Sequence, residues 1–147
     1  MPGSTRCAIF FGQQNYLGPG PSYLKPAGRI HTASGVEPGY TMPRDGSIIG
    51  FAICVDVLET PPVTVKQTDF VVSVDDGTET DVWTLSINPE EGGGGSMASP
   101  GKTQAAGIDT FSAGDVIRVN IEPNNAGDPS VGLGYQPTAT VIVEFDS

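Results

Sequence analysis

Residues 48–57, with the sequence IIGFAICVDV, carry a large apolar side chain at every second position. Successive side chains of a strand point to opposite faces of the sheet, so this alternation predicts a β-strand with one face on a core. The residues predicted to face that core are Ile49, Phe51, Ile53, Val55 and Val57.

The opposite face of the same strand is small and uncharged at its centre, where Gly50, Ala52 and Cys54 alternate with the large residues. Faces exposed to water usually carry polar side chains. Small apolar residues in their place indicate a second packed surface, and we interpret it as a contact between subunits.

Other stretches have strand character, and tight turns separate them. The Asp75-Asp76-Gly77 turn predicts a hairpin, since glycine tolerates the positive φ of such turns. We expect the C-terminal strand to be central, with neighbours on both edges. The stretches are residues 7–11, 63–74, 82–87, 111–121 and 139–145; the side chains predicted to face the core include Trp83, Leu85, Ile87, Ile117, Val119, Ile121, Ala139, Val141, Val143 and Phe145.

Composition agrees with an all-β protein of one compact unit. The chain has 147 residues, with 20 Gly, 13 Pro and 37% hydrophobic residues. Glycine and proline disfavour long helices, and no stretch shows an apolar 3.6-residue repeat. The content of Val, Ile and Phe is too high for a disordered chain.

Charge excludes several partners. The formal net charge is −10, from 7 basic and 17 acidic residues. Nucleic acids and anionic membrane surfaces are bound by clustered lysine and arginine, so we expect neither as a partner. The apolar run at residues 8–11 is shorter than the core of a secretory signal, and we expect assembly in a cytoplasm.

Residues 1–39 are rich in glycine and proline and are predicted to form an extended, irregular arm. Long regular elements are disfavoured there. The arm nevertheless contains large apolar and aromatic residues that we interpret as anchors on another protein. These are Phe10, Phe11, Tyr16, Leu17, Tyr23 and Leu24.

Motifs of catalysis and metal binding are incomplete. Residues 92–103 (GGGGSMASPGKT) resemble a phosphate-binding loop but lack its spacing and a following helix. The acidic hairpin around Asp75 lacks calcium-loop spacing and is interpreted as a solvated turn. His31 is the only histidine, so we assign no catalytic residue, metal ligand or cofactor. Cys7 and Cys54 lie in apolar runs, which favours buried free thiols over a disulfide.

Three short motifs occur in order: YTMPRDGSI (residues 40–48), FSAGDVIRV (residues 111–119) and the terminal TATVIVEF (residues 138–145). In this order they resemble the C1q/TNF-like trimeric jelly-roll family, which occurs in phage virion proteins and bacterial exosporium glycoproteins. The motif residues interpreted as structural are Pro43, Asp45, Gly46, Gly114 and Asp115.

The resemblance implies an all-β jelly-roll sandwich at residues 40–147 behind the arm at 1–39, and a homotrimer in which Gly50, Ala52 and Cys54 lie at the interface. It also implies a virion structural protein. We expect a bacteriophage decoration (cement) protein on the capsid exterior that binds the major capsid protein and stabilises the head. A receptor- or glycan-binding knob of a tail or head fibre is the alternative, and an enzyme is not expected.

Overall fold

All regular elements in the described part of the chain are β-strands. The structure is a computed structural model that describes residues 3–12, 22–26, 39–57, 65–87, 96–125 and 135–147. No helix in these ranges is long and apolar enough to cross a membrane. The strands are β1 (Thr5–Gly12), β2 (Ser22–Tyr23), β3 (Lys25–Pro26), β4 (Tyr40–Thr41), β5 (Gly46–Val57), β6 (Val65–Asp75), β7 (Glu79–Ile87), β8 (Ser96–Ala98), β9 (Gly101–Thr103), β10 (Asp109–Phe111), β11 (Val116–Asn125) and β12 (Tyr135–Phe145).

Two antiparallel sheets form a sandwich. The first sheet has the order β10-β5-β12-β1-β3, with β8 and β9 also paired to β5. The second has the order β2-β11-β6-β7, with β4 also paired to β11. The chain passes from β5 in the first sheet to the β6–β7 hairpin in the second, returns to the first sheet in β8, β9 and β10, crosses again to β11, and ends in β12 of the first sheet. Two sheets exchanged in this way form the jelly-roll sandwich expected from the sequence.

The C-terminal strand is central, as predicted. Strand β12 pairs with β5 on one edge and with β1 on the other. The first and last long strands of the described chain are therefore neighbours.

The core lies between the sheets, and the period-two predictions for β11 and β12 are confirmed there. In β5, Phe51, Ile53 and Val55 are buried as expected. The register shifts between Ile142 and Val143, which pair with Gly50 and Ile48, so Ile49 has no partner in the ladder. A bulge of this kind reverses the facing of the residues beyond it; the core cluster accordingly contains Ile48 in place of Ile49.

Two of the quoted motifs meet at one end of the sandwich. Backbone bonds join Met42 to Asp115 (N to O, 2.8 Å) and Gly114 to Met42 (N to O, 2.8 Å). The Asp45 carboxylate accepts a bond from the Ala113 amide at 2.8 Å, and Asp115 accepts one from Ser112 at 2.7 Å. Gly114 has φ +98°, a conformation that favours glycine. Each turn therefore holds the other.

The structure corrects the interpretation of part of residues 1–39. Residues of β1 pair along β12, and Phe11 is only 2% exposed. Leu24 is fully buried and its amide donates to the Val119 carbonyl at 2.8 Å. These described parts belong to the sandwich and not to an arm apart from it. The sequence indicated strand character at residues 7–11, but it could not show that this strand pairs with the distant β12.

Gly46, at the start of β5, is tightly packed at the end of the sandwich where the two motifs meet. A Cβ placed there would overlap the Glu144 carbonyl oxygen and lie 2.8 Å from Phe111 Cζ. We expect Gly46→Ala to lower the free energy of unfolding by about 2–3 kcal/mol, because neither backbone nor a buried ring can move away easily. Urea unfolding measures the change. Gly3→Ala, where a Cβ meets nothing within 4 Å, is the control, and equal midpoints for the two variants would contradict the packing.

Candidate interaction surface

The outer face of the first sheet carries no charge at its centre. The register places Phe10 beside Thr140 and Ala52, and Ala8 beside Ile142 and Gly50. We call this the flat face and define it by residues that alternate with the core positions of β1, β12 and β5: Ala8, Phe10, Gly12, Thr138, Thr140, Ile142, Gly50, Ala52 and Cys54.

The predicted contact residues on β5 differ in their exposure. Ala52 is exposed and Cys54 is half-buried, whereas Gly50 is buried. A Cβ at Gly50 would lie 3.1 Å from Ile142 Cδ1, so the Ile142 side chain lies across the glycine. At this pair of positions the side chain on the outer surface is that of Ile142. The sequence motif gave no indication of this, because the β5–β12 register is a property of the folded sheet.

Phe10 is the most prominent residue of the flat face. Its side chain is 52% exposed. Its carbonyl oxygen accepts a bond from the Tyr40 hydroxyl at 3.0 Å, and the Tyr40 ring packs edge-on against Phe11 with centroids 5.3 Å apart. The backbone beneath Phe10 is therefore fixed, while its ring points away from the core.

A charged pair lies at the Ala8 end of the face, and at the other end Lys25 of β3 pairs with Gly12. Arg6 Nε donates to Glu144 Oε2 at 2.7 Å. This bond, aided by one from Ser4, holds the pKa of the Glu144 carboxyl below its ordinary value. Because the two charges neutralise each other, the Ala8 end of the face adds little net charge to the surface.

The outer face of the second sheet differs, because it carries a buried polar network. Arg118 is only 9% exposed, and its Nη1 donates to Asp75 Oδ2 at 2.6 Å. The Glu79 carboxylate accepts bonds from the Tyr23 hydroxyl, at 2.7 Å, and from the Ser73 hydroxyl. A buried arginine requires such carboxylates, since removing one partner leaves an uncompensated charge.

This network changes the interpretation of the acidic hairpin. Asp75 and Glu79 are bound to partners inside the fold, while Asp76 and Asp81 are exposed. Within the described ranges no three His, Cys, Asp or Glu residues are grouped as metal ligands would be.

The residues predicted to anchor an arm lie in different environments. Phe10 is on the flat face, Phe11 and Leu24 are in the core, and the Tyr23 hydroxyl is bound to Glu79. Tyr16 and Leu17 lie outside the described residues, as does His31.

Two further predictions have mixed outcomes. Trp83 is half-buried, and its ring meets Phe51 edge-on with centroids 6.3 Å apart, so it is not an exposed platform for a sugar. Cys7 and Cys54 are free thiols, as expected. The expected burial is wrong, because Cys7 is exposed and Cys54 is only half-buried. Cys7 precedes Ile9, which is the first buried residue of β1.

Comparison with known proteins shows similarity of shape alone. No family model and no curated protein matches the chain. Among solved structures, Eiger TNF from S. frugiperda is similar at 12% identity and a TM-score of 0.47, over 97% of this chain and 94% of that one. A chain of the cyanophage Pam1 capsid asymmetric unit is similar at 19% identity and a TM-score of 0.47, over 99% of this chain and 89% of that one.

The Arg118–Asp75 pair should make the stability of the fold depend on pH. The Arg118 bond, followed by that of the Gly77 amide, lowers the pKa of Asp75 from its ordinary value of 3.8. A depressed carboxyl pKa stabilises the fold above the unfolded-state pKa, and the contribution is lost as the pH falls through the folded-state value. We expect the wild type to have a higher free energy of unfolding than Asp75→Asn at neutral pH. This difference should shrink steadily as the pH falls from about 5 to about 2.

Urea unfolding of the wild type and of Asp75→Asn across this pH range measures the difference in the free energy of unfolding. Asp81→Asn serves as the control, since Asp81 is exposed on the same hairpin and carries no bond to Arg118. An advantage over Asp75→Asn that does not change with pH would contradict the ion pair.

Proposed function

We propose that this protein is a structural component of a virion, a trimeric decoration protein that binds the capsid of a bacteriophage and stabilises the head. The observation that carries the proposal is the uncharged flat face on a strongly acidic chain. The motif resemblance supports the virion part, and the two motifs that lock one end of the sandwich are among those that carry it.

Electrostatics favours the flat face as the contact between copies. Each chain carries a net charge of −10, so two copies repel wherever acidic surfaces meet. The centre of the flat face is free of that repulsion, and it presents an exposed aromatic ring, the residue type enriched where interfaces gain most of their energy. The neighbours of Phe10 on the face, Ala8, Gly12 and Ala52, are small.

A closed trimer needs two different surfaces on every chain, because head-to-tail contacts join one patch to another. Ile108 supplies a candidate for the second patch. It is 63% exposed, and with Phe10 it forms the pair of exposed large apolar side chains in the described residues. The neighbouring Gly107 amide donates to Ser47 Oγ at 2.8 Å, which places this turn at the β10 edge of the first sheet.

The two patches are well separated. Phe10 is on β1, and β12 and β5 lie between β1 and β10. Three strand spacings amount to about 14 Å. We propose that the ring of Phe10 on one copy packs against the Ile108 edge of the next.

Mixing two variants tests this head-to-tail contact. We expect Phe10→Asp and Ile108→Asp each to be a folded monomer by circular dichroism and light scattering, because a buried unpaired carboxylate is costly. Mixed in equal amounts, they should form a species of two chains, since the intact edge of one variant meets the intact face of the other.

Thr84→Asp, on the exposed side of β7 in the second sheet, is the matched control and should stay trimeric. A wild type that is monomeric, or a mixture that stays monomeric while the wild type is trimeric, would overturn the contact proposed here.

Binding to the shell is assigned to the N-terminal segment that carries Tyr16 and Leu17. Deleting residues 1–39 would also remove β1 and Leu24 from the sandwich, so point substitutions are the better test. We expect Tyr16→Ala with Leu17→Ala to leave the trimer intact and to weaken binding to undecorated heads of the cognate phage by at least about tenfold, as loss of anchor residues does.

Co-sedimentation with purified heads measures this binding. Thr84→Asp is again the control and should bind as the wild type does. Undiminished binding by the double variant would move the contact to the sandwich, and no binding by the wild type would refute the decoration role.

A further inference from the structure

A cavity of about 290 Å³ opens at one end of the sandwich. It lies between β7 and β10, the edge strands of opposite sheets, which do not pair with each other. The FSAGDVIRV motif supplies part of its lining, and the proposed contact between copies does not use it. Its described lining residues are Val74, Asp76, Thr80, Val82, Thr110, Phe111, Ser112 and Asp115.

A bulge in β7 shapes one wall of the cavity. Val72 pairs with Trp83 and Ser73 with Asp81, so Val82 is the additional residue. Both Val82 and Trp83 consequently pack on the core. With buried Val74 and Phe111, Val82 forms the apolar part of the cavity lining.

The rim is rich in hydrogen-bond acceptors. Asp115 Oδ2 accepts a bond from the Ser112 amide at 2.7 Å, and Asp76 Oδ1 accepts one from the Thr78 amide at 3.2 Å. Each carboxylate is thus oriented by its own turn. Within the described part of the chain, the second oxygen of each has no hydrogen-bond partner.

The lining offers no compensating cation. Among the described lining residues none is basic. Arg118, the cation nearest in sequence to this end, belongs to the outer face of the second sheet, where Asp75 holds it. The hydroxyls of Thr80, Thr110 and Ser112 add further acceptors around the two carboxylates.

We propose that this cavity binds an arginine or lysine side chain of a partner protein. The aliphatic stem would lie on Phe111, Val74 and Val82, as the stems of long basic side chains do on apolar surface. The charged head would donate to Asp76 and Asp115, and hydrogen bonds between ionised partners are stronger than neutral ones. An anion would meet two negative charges, and a neutral sugar would leave both uncompensated.

Nuclear magnetic resonance of the full-length protein tests the site with a defined probe. The probe is Nα-acetyl-arginine methylamide, and its neutral citrulline counterpart is the matched control ligand. We expect the arginine probe to shift the amide signals of Thr80, Ser112 and their neighbours in a saturable way. The citrulline probe should bind at least about threefold more weakly, as expected for the loss of a partly exposed ion pair.

Protein variants show which carboxylates the arginine probe needs for binding. Asp76→Asn and Asp115→Asn each keep an oxygen for the backbone bond of their turn and remove one charge. Each should weaken the arginine probe by about threefold, while Asp81→Asn, which removes an exposed charge outside the cavity, should leave binding unchanged.

Three results would overturn the proposal: no saturable shift with the arginine probe, equal shifts with arginine and citrulline, or stronger shifts of the same amides with glucose or Ca²⁺. The measurement uses a small molecule and requires neither a trimer nor a phage head. Its failure would therefore leave the proposed function untouched, and failure of the proposed function would leave this site to stand.

Discussion

The pairing of β12 between β5 and β1 is the constraint on which the rest of the structure depends. It joins the strand that begins the described chain to the strand that ends it, and it fixes the register of β5. Contacts between residues so distant in sequence form only after long loops have closed, which makes folding of such sheets slow. Once formed, this register determines which side chains face the core and which form the flat face.

Period-two patterns were sufficient to predict the long strands. The alternation in β5, β11 and β12 identified their core residues, and the glycine at 77 identified the β6–β7 hairpin. Sequence was insufficient wherever long-range pairing decides the outcome. The bulge at Ile49 arises from the register with β12. Residues 7–11 were predicted to have strand character, but they and Leu24 were assigned to an arm because the glycines and prolines around them disfavour long regular elements. In the structure β1 pairs with the distant β12, and Leu24 is buried in the core.

The two outer faces of the sandwich have different chemistry. On the second sheet, Arg118 is paired with Asp75 and lies 4.0 Å from Glu79, and Tyr23 ties β2 into the same network. On the first sheet the centre is uncharged and the ring of Phe10 is exposed. The sequence suggested a subunit contact from the small residues of β5 alone. In the folded sheet Phe10 and Ile142 lie on the same face, and the Ile142 side chain lies across Gly50, so both belong to the contact surface that we propose.

The central claim is that copies of this acidic chain assemble through the flat face. Sedimentation equilibrium of the wild-type protein at micromolar concentration tests it most directly. The account predicts a single species with three times the 15.2 kDa mass of the chain, and that mass should persist in high salt because an uncharged contact is not screened. A species of one chain mass at these concentrations would contradict it.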